Sequence, residues 1–485
     1  MHIIDITIFV VYMLIMLGVG FYFLKKNKTQ EDYYVSGRNM NSWHIGLSVV
    51  ATDVGGGFSI GLGGLGFTMG LSGSWMLFTG LVGAWLSAAF LIPKVSKWGI
   101  EHKFFTFPQL FKHLYNSKVA FLAGIISAIG YIGFTSSQIL AGAKLSSATV
   151  AGLDMQTALI IMGAIAVIYT SIGGLKAVIY TDTIQWIVLL AGMIFIGLPM
   201  GYYAVGGYDG ITATLGPKFL TLTNVSSTQI LNWAVTIIPI WFVGMTLYQR
   251  IYASKGKKEA QKAWLIASVF EWPIMAFMGV LLGMFARVAM EQGILINNSG
   301  LEVIDAEMGL PMLLRTILPV GILGLMLSSY FSAILSTADS CLMAASGNVM
   351  TDILRPLLKK EFTVKQELRL SQIFTLGIGV LAILLASQMQ NVLELMLYSY
   401  AFMVSGLFIP VIGGLYWKKS KPAAALWSMV AGGSTTIILI LTNNKMGNLQ
   451  LPTSLDANIY GISVSLATFI LLSLIISNKE HKYAI

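Results

Sequence analysis

The chain has 485 residues, 56% of them hydrophobic and only 11% charged, with a formal charge of +9. Soluble domains carry roughly 25% charged residues, so the composition excludes a soluble globular fold and points to a lipid-embedded chain. No soluble basic domain carries the positive charge, which excludes a nucleic-acid partner, and a lone Cys341 excludes a disulfide framework or cysteine metal cluster.

Hydrophobic runs long enough to span a bilayer, about 17–25 residues each, begin at 6–24. They continue at 42–70, 74–93, 120–150, 157–173, 175–204, 231–250, 263–290, 311–350, 371–387, 392–417, 423–441 and 459–476. That gives an all-α integral membrane protein of about thirteen transmembrane helices in a single polytopic domain, 1–485. The first run lacks a basic leader and a small-residue cleavage pattern, so it is read as a retained helix. Basic residues cluster in alternate loops, at 25–28, 94–118, 176, 255–262, 355–369, 418–421 and 479–482. The opposite loops hold mainly Asp154, Asp209, Lys218, Glu302, Asp305, Glu307 and Lys445. The positive-inside rule then places the N-terminus outside and the C-terminus in the cytoplasm. The short tails suggest a plasma membrane of bacterial type, that is, an inner membrane.

Two spans are broken by polar or glycine-rich segments. One reads Ala51-Thr52-Asp53-Val54-Gly55-Gly56-Gly57, the other Ala333-Ile334-Leu335-Ser336-Thr337-Ala338-Asp339-Ser340. Lipid offers no partner to a free amide or carboxylate, so such residues persist where they line a cavity or bind something. Three successive glycines also unwind a helix and free its carbonyls. The i, i+3, i+4 spacing puts Ala333, Ser336 and Thr337 on one helix face. With the carbonyls of Ala51 and Val54 they present neutral oxygens suited to a hard monovalent cation, Na+. The other reading is hydroxyls bonded inside tightly packed helices. Asp182 follows Gly173-Gly174-Leu175-Lys176 at the start of a helix and reads as part of an inward gate or as a salt-bridge partner, for instance of Lys176. With Asp339 and Ser340, one turn below Ser336, it forms a candidate second cation group. Glu271, in Phe270-Glu271-Trp272-Pro273, is expected to pair with Arg287 or another base, and Glu394 to face solvent.

For an organic solute the polar and aromatic residues flanking the breaks are the candidates: Gly55, Phe58, Phe134, Gln138, Trp241, Tyr248, Tyr398 and Tyr400. Aromatic residues at helical spacing also serve plain packing; Gln138 is the strongest, because a buried amide needs partners. A second interruption is expected near Trp241 and Gly244. There is no P-loop, so ATP drive within this chain is excluded, and no nucleophile–base or metal-ligand set that would make it an enzyme.

The segments Ser36-Gly37-Arg38, Ala51–Gly57, Gly173–Gln185, Gln249-Arg250, Leu318–Leu325 and Ser336–Ser340 resemble, in order, the sodium/solute symporter family. Its members carry proline, pantothenate, sialic acid, glucose, choline and iodide. The resemblance implies a LeuT-type inverted repeat of five plus five helices, here about 42–204 and 231–417, with an extra helix at 6–24 and two more at 423–476. It implies transport driven by Na+, with the principal ion on Ala51, Val54, Ala333, Ser336 and Thr337. A second Na+ falls on Asp182, Asp339 and Ser340, although Asp339 stands where some two-sodium members have serine. Asp53 matches an aspartate of the proline transporter and joins the substrate candidates, and it replaces a tryptophan of the choline cage, which argues against choline. Gly55–Gly57 are read as leaving room for a solute bulkier than proline.

The expectation is therefore a Na+ symporter importing a small polar organic solute, an amino acid or sugar-like, with lipid and solute as its partners and no obligatory protein partner. The alternatives are proton coupling through Asp53 or Asp182, facilitative transport, and a transporter-like sensor or channel. A sensor is expected to carry a long cytoplasmic tail, and about nine residues follow the last span.

Overall fold

Inside a bilayer a backbone amide finds a partner only within its own protein, and this chain answers by being helical along nearly all of its described length. The computed structural model describes residues 2–26, 35–295, 305–358, 363–446 and 449–476. Within its helices the side chains at 17, 20, 21, 23–26, 54, 58, 169, 172–177, 364, 365, 367 and 368 lie outside that description.

Helix α1 (Ile3–Lys26) is followed by α2 (Ser42–Met69), α3 (75–101), the short α4 (Phe107–Leu114) and α5 (Ser117–Thr149). Next come α6 (155–204), α7 (Ser227–Val243), α8 (Met245–Ala253), α9 (257–291) and α10 (Ala306–Ile317). The chain closes with α11 (322–358), α12 (Val364–Ala386), α13 (Val392–Tyr416), α14 (Pro422–Leu441) and α15 (Ala457–Ile475). Among the described residues nine helices are long and apolar enough to cross a membrane, ten if α7 and α8 count as one bent span. Two further apolar helices, Ile3–Met16 and Met155–Ile168, are shorter. The thirteen or so spans read from hydropathy are thus not all distinguished by length and composition.

Helices α11 and α5 form the centre. Their most apolar windows are 89% and 72% buried, against 33% for α12 and 28% for α15 at the periphery. α11 packs on α1, α2, α5, α6 and α12, so every candidate residue on it meets protein on all sides.

Two boundaries differ from the sequence reading. The expected span 311–350 is split, because Leu318 takes extended angles (φ −83°, ψ 135°) and ends α10. The cause is Pro319, which forces the residue before it out of the helical region. Gly321 at φ +88° then starts α11. Conversely, the spans expected at 157–173 and 175–204 are continuous in α6, since a glycine inside a helix costs only about 1 kcal/mol.

Buried carboxylates close the helix ends that these breaks create. Asp5 of α1, 1% exposed, accepts from the amides of Gly321 (2.7 Å) and Gly324 (2.9 Å) and so caps α11 from another helix. Glu307 of α10 does the same for α13, accepting from Val392 (2.8 Å) and Leu393 (3.0 Å). Its charge is met by the buried Lys144 of α5 at 2.7 Å, which also reaches Asp305 at 2.5 Å.

Small residues let α2 and α9 touch backbone to backbone. A Cβ on Gly66 would lie 2.1 Å from the Val280 carbonyl, and one on Gly283 2.0 Å from that of Gly63. Gly66→Ala and Gly283→Ala are therefore expected each to lower the melting temperature of the detergent-solubilised protein, by a cost of about 1–3 kcal/mol. Gly18→Ala, where nothing lies within 4 Å, serves as the control and should leave it unchanged or slightly higher.

Candidate functional site

The break in α2 falls at Gly55, whose angles (φ 14°, ψ −158°) leave the helix. The amide of Gly56, freed from its ladder, donates to Gln138 Oε1 of α5 at 2.7 Å. The break in the α7–α8 pair falls at Gly244 (φ −68°, ψ 112°), with a bend of 42°. There the amide of Thr246 donates to the Tyr131 hydroxyl at 3.0 Å, again from α5, and Tyr248 donates across the break to the Phe242 carbonyl at 2.8 Å. Tyr131 and Gln138 are seven residues apart, two turns along one face of α5, so a single helix satisfies both interruptions.

Across the first break stands α11. Thr337 Oγ1 lies 3.0 Å from the Ala51 carbonyl and 3.2 Å from that of Ala333, donating to each. Three oxygens of the expected principal sodium group therefore converge, two carbonyls and a hydroxyl, the donor set a hard monovalent cation takes. Ser336, one position earlier, turns its hydroxyl to Asp182 Oδ1 instead. The side chain of Val54 lies outside the described residues.

Next to this contact sits a fully buried charge, from the Gln249-Arg250 segment quoted above, that had been given no role. Arg250 of α8 is 0% exposed, and its Nη2 stands 3.6 Å from Asp182 Oδ2. The guanidinium also donates to Thr52 (2.6 Å), Ser340 (2.9 Å), Ser48 (3.1 Å) and the Thr246 carbonyl (3.3 Å). Ser48 in turn donates to Asp182 Oδ2 at 2.5 Å. Of the expected second sodium group, Asp182 and Ser340 are joined, and the cation between them here is Arg250. Asp339 is separate, taking a hydrogen bond from Thr170. The Lys176 side chain, offered above as a partner for Asp182, is outside the described residues.

The solute candidates divide. Gln138 and Gly55 meet, since a Cβ on Gly55 would lie 2.7 Å from Gln138 Oε1 and 2.4 Å from Thr337 Oγ1. Phe134, one turn below Gln138, packs edge-on against Tyr400 at 5.0 Å. Trp241 is buried against Trp264 and the helix face at Gly83. Tyr248 packs at a tilt against Phe107, ring centroids 4.4 Å apart. Tyr398 is 37% exposed and donates to Glu394 at 2.6 Å. The side chain of Phe58 is outside the described residues. The room read beside Gly55–Gly57 is taken up, because Cβ atoms on Gly56 and Gly57 would meet Ala141 and Met396 at 2.5 Å. These glycines serve close helix contact. Glu271 does not pair with Arg287, which binds Glu291 at 2.7 Å and lies over Phe67.

A cavity of about 440 Å³ opens at the end of the molecule that holds Asp305 and Asp456. It is lined by Gly61, Thr68, Trp233, Glu307, Glu394 and Tyr398 among others, and Gly61 is six residues beyond the break. At its edge burial pushes the Asp456 carboxyl above its ordinary value.

Of the residues missed, Ser48 and Thr52 carry a sequence signal, an i, i+4 pair of hydroxyls on α2 matching Ser336 and Ser340 on α11. Stripping one partner from a buried ion pair costs about 3–5 kcal/mol, whereas removing both is much milder. Arg250→Met should thus lower the melting temperature sharply. Adding Asp182→Asn to it should recover part of the loss, measured as a double-mutant cycle; additive losses would show the two to be uncoupled.

The model of the sodium:solute symporter family matches residues 33–432. The high-affinity proline transporter PutP of Bacillus subtilis is 25% identical over 433 residues, covering 87% of this chain and 89% of that protein. The sodium/glucose cotransporter 1 of Oryctolagus cuniculus is 25% identical over 91% of this chain and 72% of its own length. Among solved structures, a substrate-bound, outward-open Na+-coupled sialic acid symporter superposes with a TM-score of 0.81 at 20% identity, covering 98% of both chains. The fold is thus the all-helical LeuT type, and the relatives are transporters, not enzymes. With the match extending over most of its length, the chain belongs to the sodium:solute symporter family.

Proposed function

We propose that the protein imports a small polar organic solute, an amino acid or sugar-like, together with Na+ by alternating access. The observation that carries the reading is the meeting of the Ala51 and Ala333 carbonyls at the Thr337 hydroxyl, where the broken α2 faces the central α11. Na+ is bound there as a co-transported ion by Ala51, Val54, Ala333, Ser336 and Thr337. Ser336 is free to serve once its hydrogen bond to Asp182 is given up. In the second group Arg250 supplies the positive charge beside Asp182 and Ser340, so a second Na+ requires the guanidinium to withdraw. One site is the simpler assignment.

Coupling follows from the two bodies the ion joins. A ligand shifts a conformational equilibrium only by its differential affinity for the two states. Oxygens drawn from α2 and α11 are in register in one arrangement of these helices and out of register in another, so binding and helix position are linked. A single charge moving down 100 mV gains about 2.3 kcal/mol, enough to concentrate a neutral solute more than tenfold. The solute is assigned to Gln138, which meets Gly55, to Phe134, which packs on Tyr400, and to Asp53, Phe58, Trp241 and Tyr248 around the two breaks, where a change of helix position would have to open the room that close contact now fills. Tyr398 belongs to the outer cavity, the route of entry. Proline and glucose carriers among the relatives support the solute class. The basic loops support an outside N-terminus and a cytoplasmic C-terminus. The matching breaks in α2 and α7–α8 support inverted repeats at about 42–204 and 231–417.

Thermal-shift titration of the purified protein against L-amino acids, hexoses and sialic acid, with and without Na+, tests the reading. Stabilisation by one solute only when Na+ is present is expected; stabilisation indifferent to Na+ would overturn the coupling. Thr337→Ala and Ser336→Ala are each expected to raise the half-saturating Na+ concentration about tenfold, the effect of losing one oxygen ligand worth about 1.4 kcal/mol. Unchanged Na+ dependence in both would remove the site assignment.

A further inference from the structure

The cavity at the Asp305–Asp456 end carries more acid than its own framework uses. Four carboxylates line it, Asp305, Glu307, Glu394 and Asp456, and no Lys, Arg or His lines it with them. Asp305 and Glu307 are committed from behind: Lys144 reaches both, and Glu307 also closes the start of α13. The other two have no such partner. Glu394 receives neutral donors, the Tyr398 hydroxyl at 2.6 Å and the Asn391 amide at 3.1 Å. Asp456 stands at the N-cap of α15, yet its side chain accepts no hydrogen bond from the amides there. It is held in place through its backbone instead, whose N–H donates to Asn232 Oδ1 of α7 at 3.2 Å.

A separate observation says what this wall faces. Asn458, 0% exposed, lines the cavity two residues after Asp456. Its Nδ2 donates to Thr236 Oγ1 at 2.8 Å, and Thr236 gives its own hydrogen to the Asn232 carbonyl at 3.0 Å. Thr236 can therefore only accept from Asn458, which fixes the orientation of the amide and leaves Oδ1 as its free atom. That oxygen is buried and receives no hydrogen bond from any donor among the described residues. A buried acceptor left so costs about 1–3 kcal/mol, and what satisfies it is an N–H or O–H entering the cavity. Trp233, 2% exposed, adds an indole to the same wall, a surface on which a cation rests favourably.

These features select a ligand. An anion is repelled by the two uncompensated carboxylates. A metal ion is poorly served, because among the described residues no three acids stand close enough together to hold one. A quaternary ammonium brings charge but no N–H for Asn458. A protonated primary or secondary amine brings both. We propose that this cavity is a binding site for a protonated amine, its charge set against Asp456 and Glu394 and an N–H directed at Asn458 Oδ1. The site is separate from the Ala51–Thr337 contact and fills without Na+.

Calorimetric titration of propylammonium into the detergent-solubilised protein tests this, in Na+-free K+ buffer at about pH 8, where an alkyl amine keeps its proton. Saturable binding is expected, weakened about fivefold by Asp456→Asn and by Glu394→Gln. Asp209→Asn, at an exposed acid outside the cavity, should leave it unchanged. Tetramethylammonium, which has the charge without the N–H, should bind about fivefold more weakly than propylammonium, and propionate should not bind. Neither Asp456 nor Glu394 closes a helix end with its side chain, so both variants should fold, and an unchanged melting temperature checks that. Absence of propylammonium binding, binding indifferent to both variants, or equal binding of tetramethylammonium would each overturn the proposal. Na+ is left out throughout, so failure of the amine site and failure of the sodium assignment are told apart.

Discussion

The bilayer supplies no hydrogen bonds, and the architecture follows from how this chain satisfies the groups that its broken helices expose. Gly55 and Gly244 interrupt α2 and the α7–α8 pair, and both freed amides find partners on α5, at Gln138 and Tyr131. α5 is thereby fixed against both breaks, and with α11 it forms the buried centre. Helix starts at Ile322 and Val392 are closed in the same way, by Asp5 and Glu307 reaching over from other helices. In water these amides would simply be solvated. Here each needs a named side chain, and those side chains hold the helices in place around the contact of Ala51 with Thr337.

The same constraint governs charge. Arg250 is wholly buried, and its guanidinium is surrounded by Asp182 and by hydroxyls from α2 and α11. Four helices, α2, α6, α8 and α11, therefore meet at one ion pair next to the oxygens assigned to Na+. Buried pairs contribute little net stability over an apolar core, yet breaking one is costly. An arrangement of that kind favours discrete states over gradual deformation, which suits a carrier that must be closed on one side or the other. It also explains why Ser336 belongs to two groups: its hydroxyl reaches Asp182 in this state and adjoins the sodium oxygens through its neighbour Thr337.

Local patterns were legible in the sequence, and long-range pairings were not. The glycine run located the first break, and Gly244 the second, because both depend on residues a turn apart. The polar segment Ala333–Ser340, read as a broken span, is instead continuous helix in α11, its hydroxyls bonded to carbonyls and carboxylates without interrupting the ladder. The span read at 311–350 failed at Leu318, where hydropathy runs on while Pro319 stops the helix. Asp5 and its α11 amides are 316 and 319 residues apart, and Arg250 is 202 residues from Ser48, distances over which no periodicity speaks. Glu271 was assigned to Arg287 or another base, whereas Arg287 pairs with Glu291 and packing presses Glu271 against Gly80 of α3. The glycines at 55–57 were read as space, and they are instead where Gln138, Thr337, Ala141 and Met396 come close. A missing side chain marks either a void or a contact, and only the neighbouring helix decides which.

The central claim is that downhill Na+ entry drives solute uptake through the α2–α11 contact. Proteoliposomes containing the purified protein, loaded without Na+ and diluted into Na+ buffer at equal pH with an inside-negative potential, test it most directly. Accumulation of labelled solute above its outside concentration, abolished when Na+ is equal on both sides and the potential is zero, is the predicted result. Accumulation that follows an imposed pH difference and ignores the Na+ gradient would contradict it.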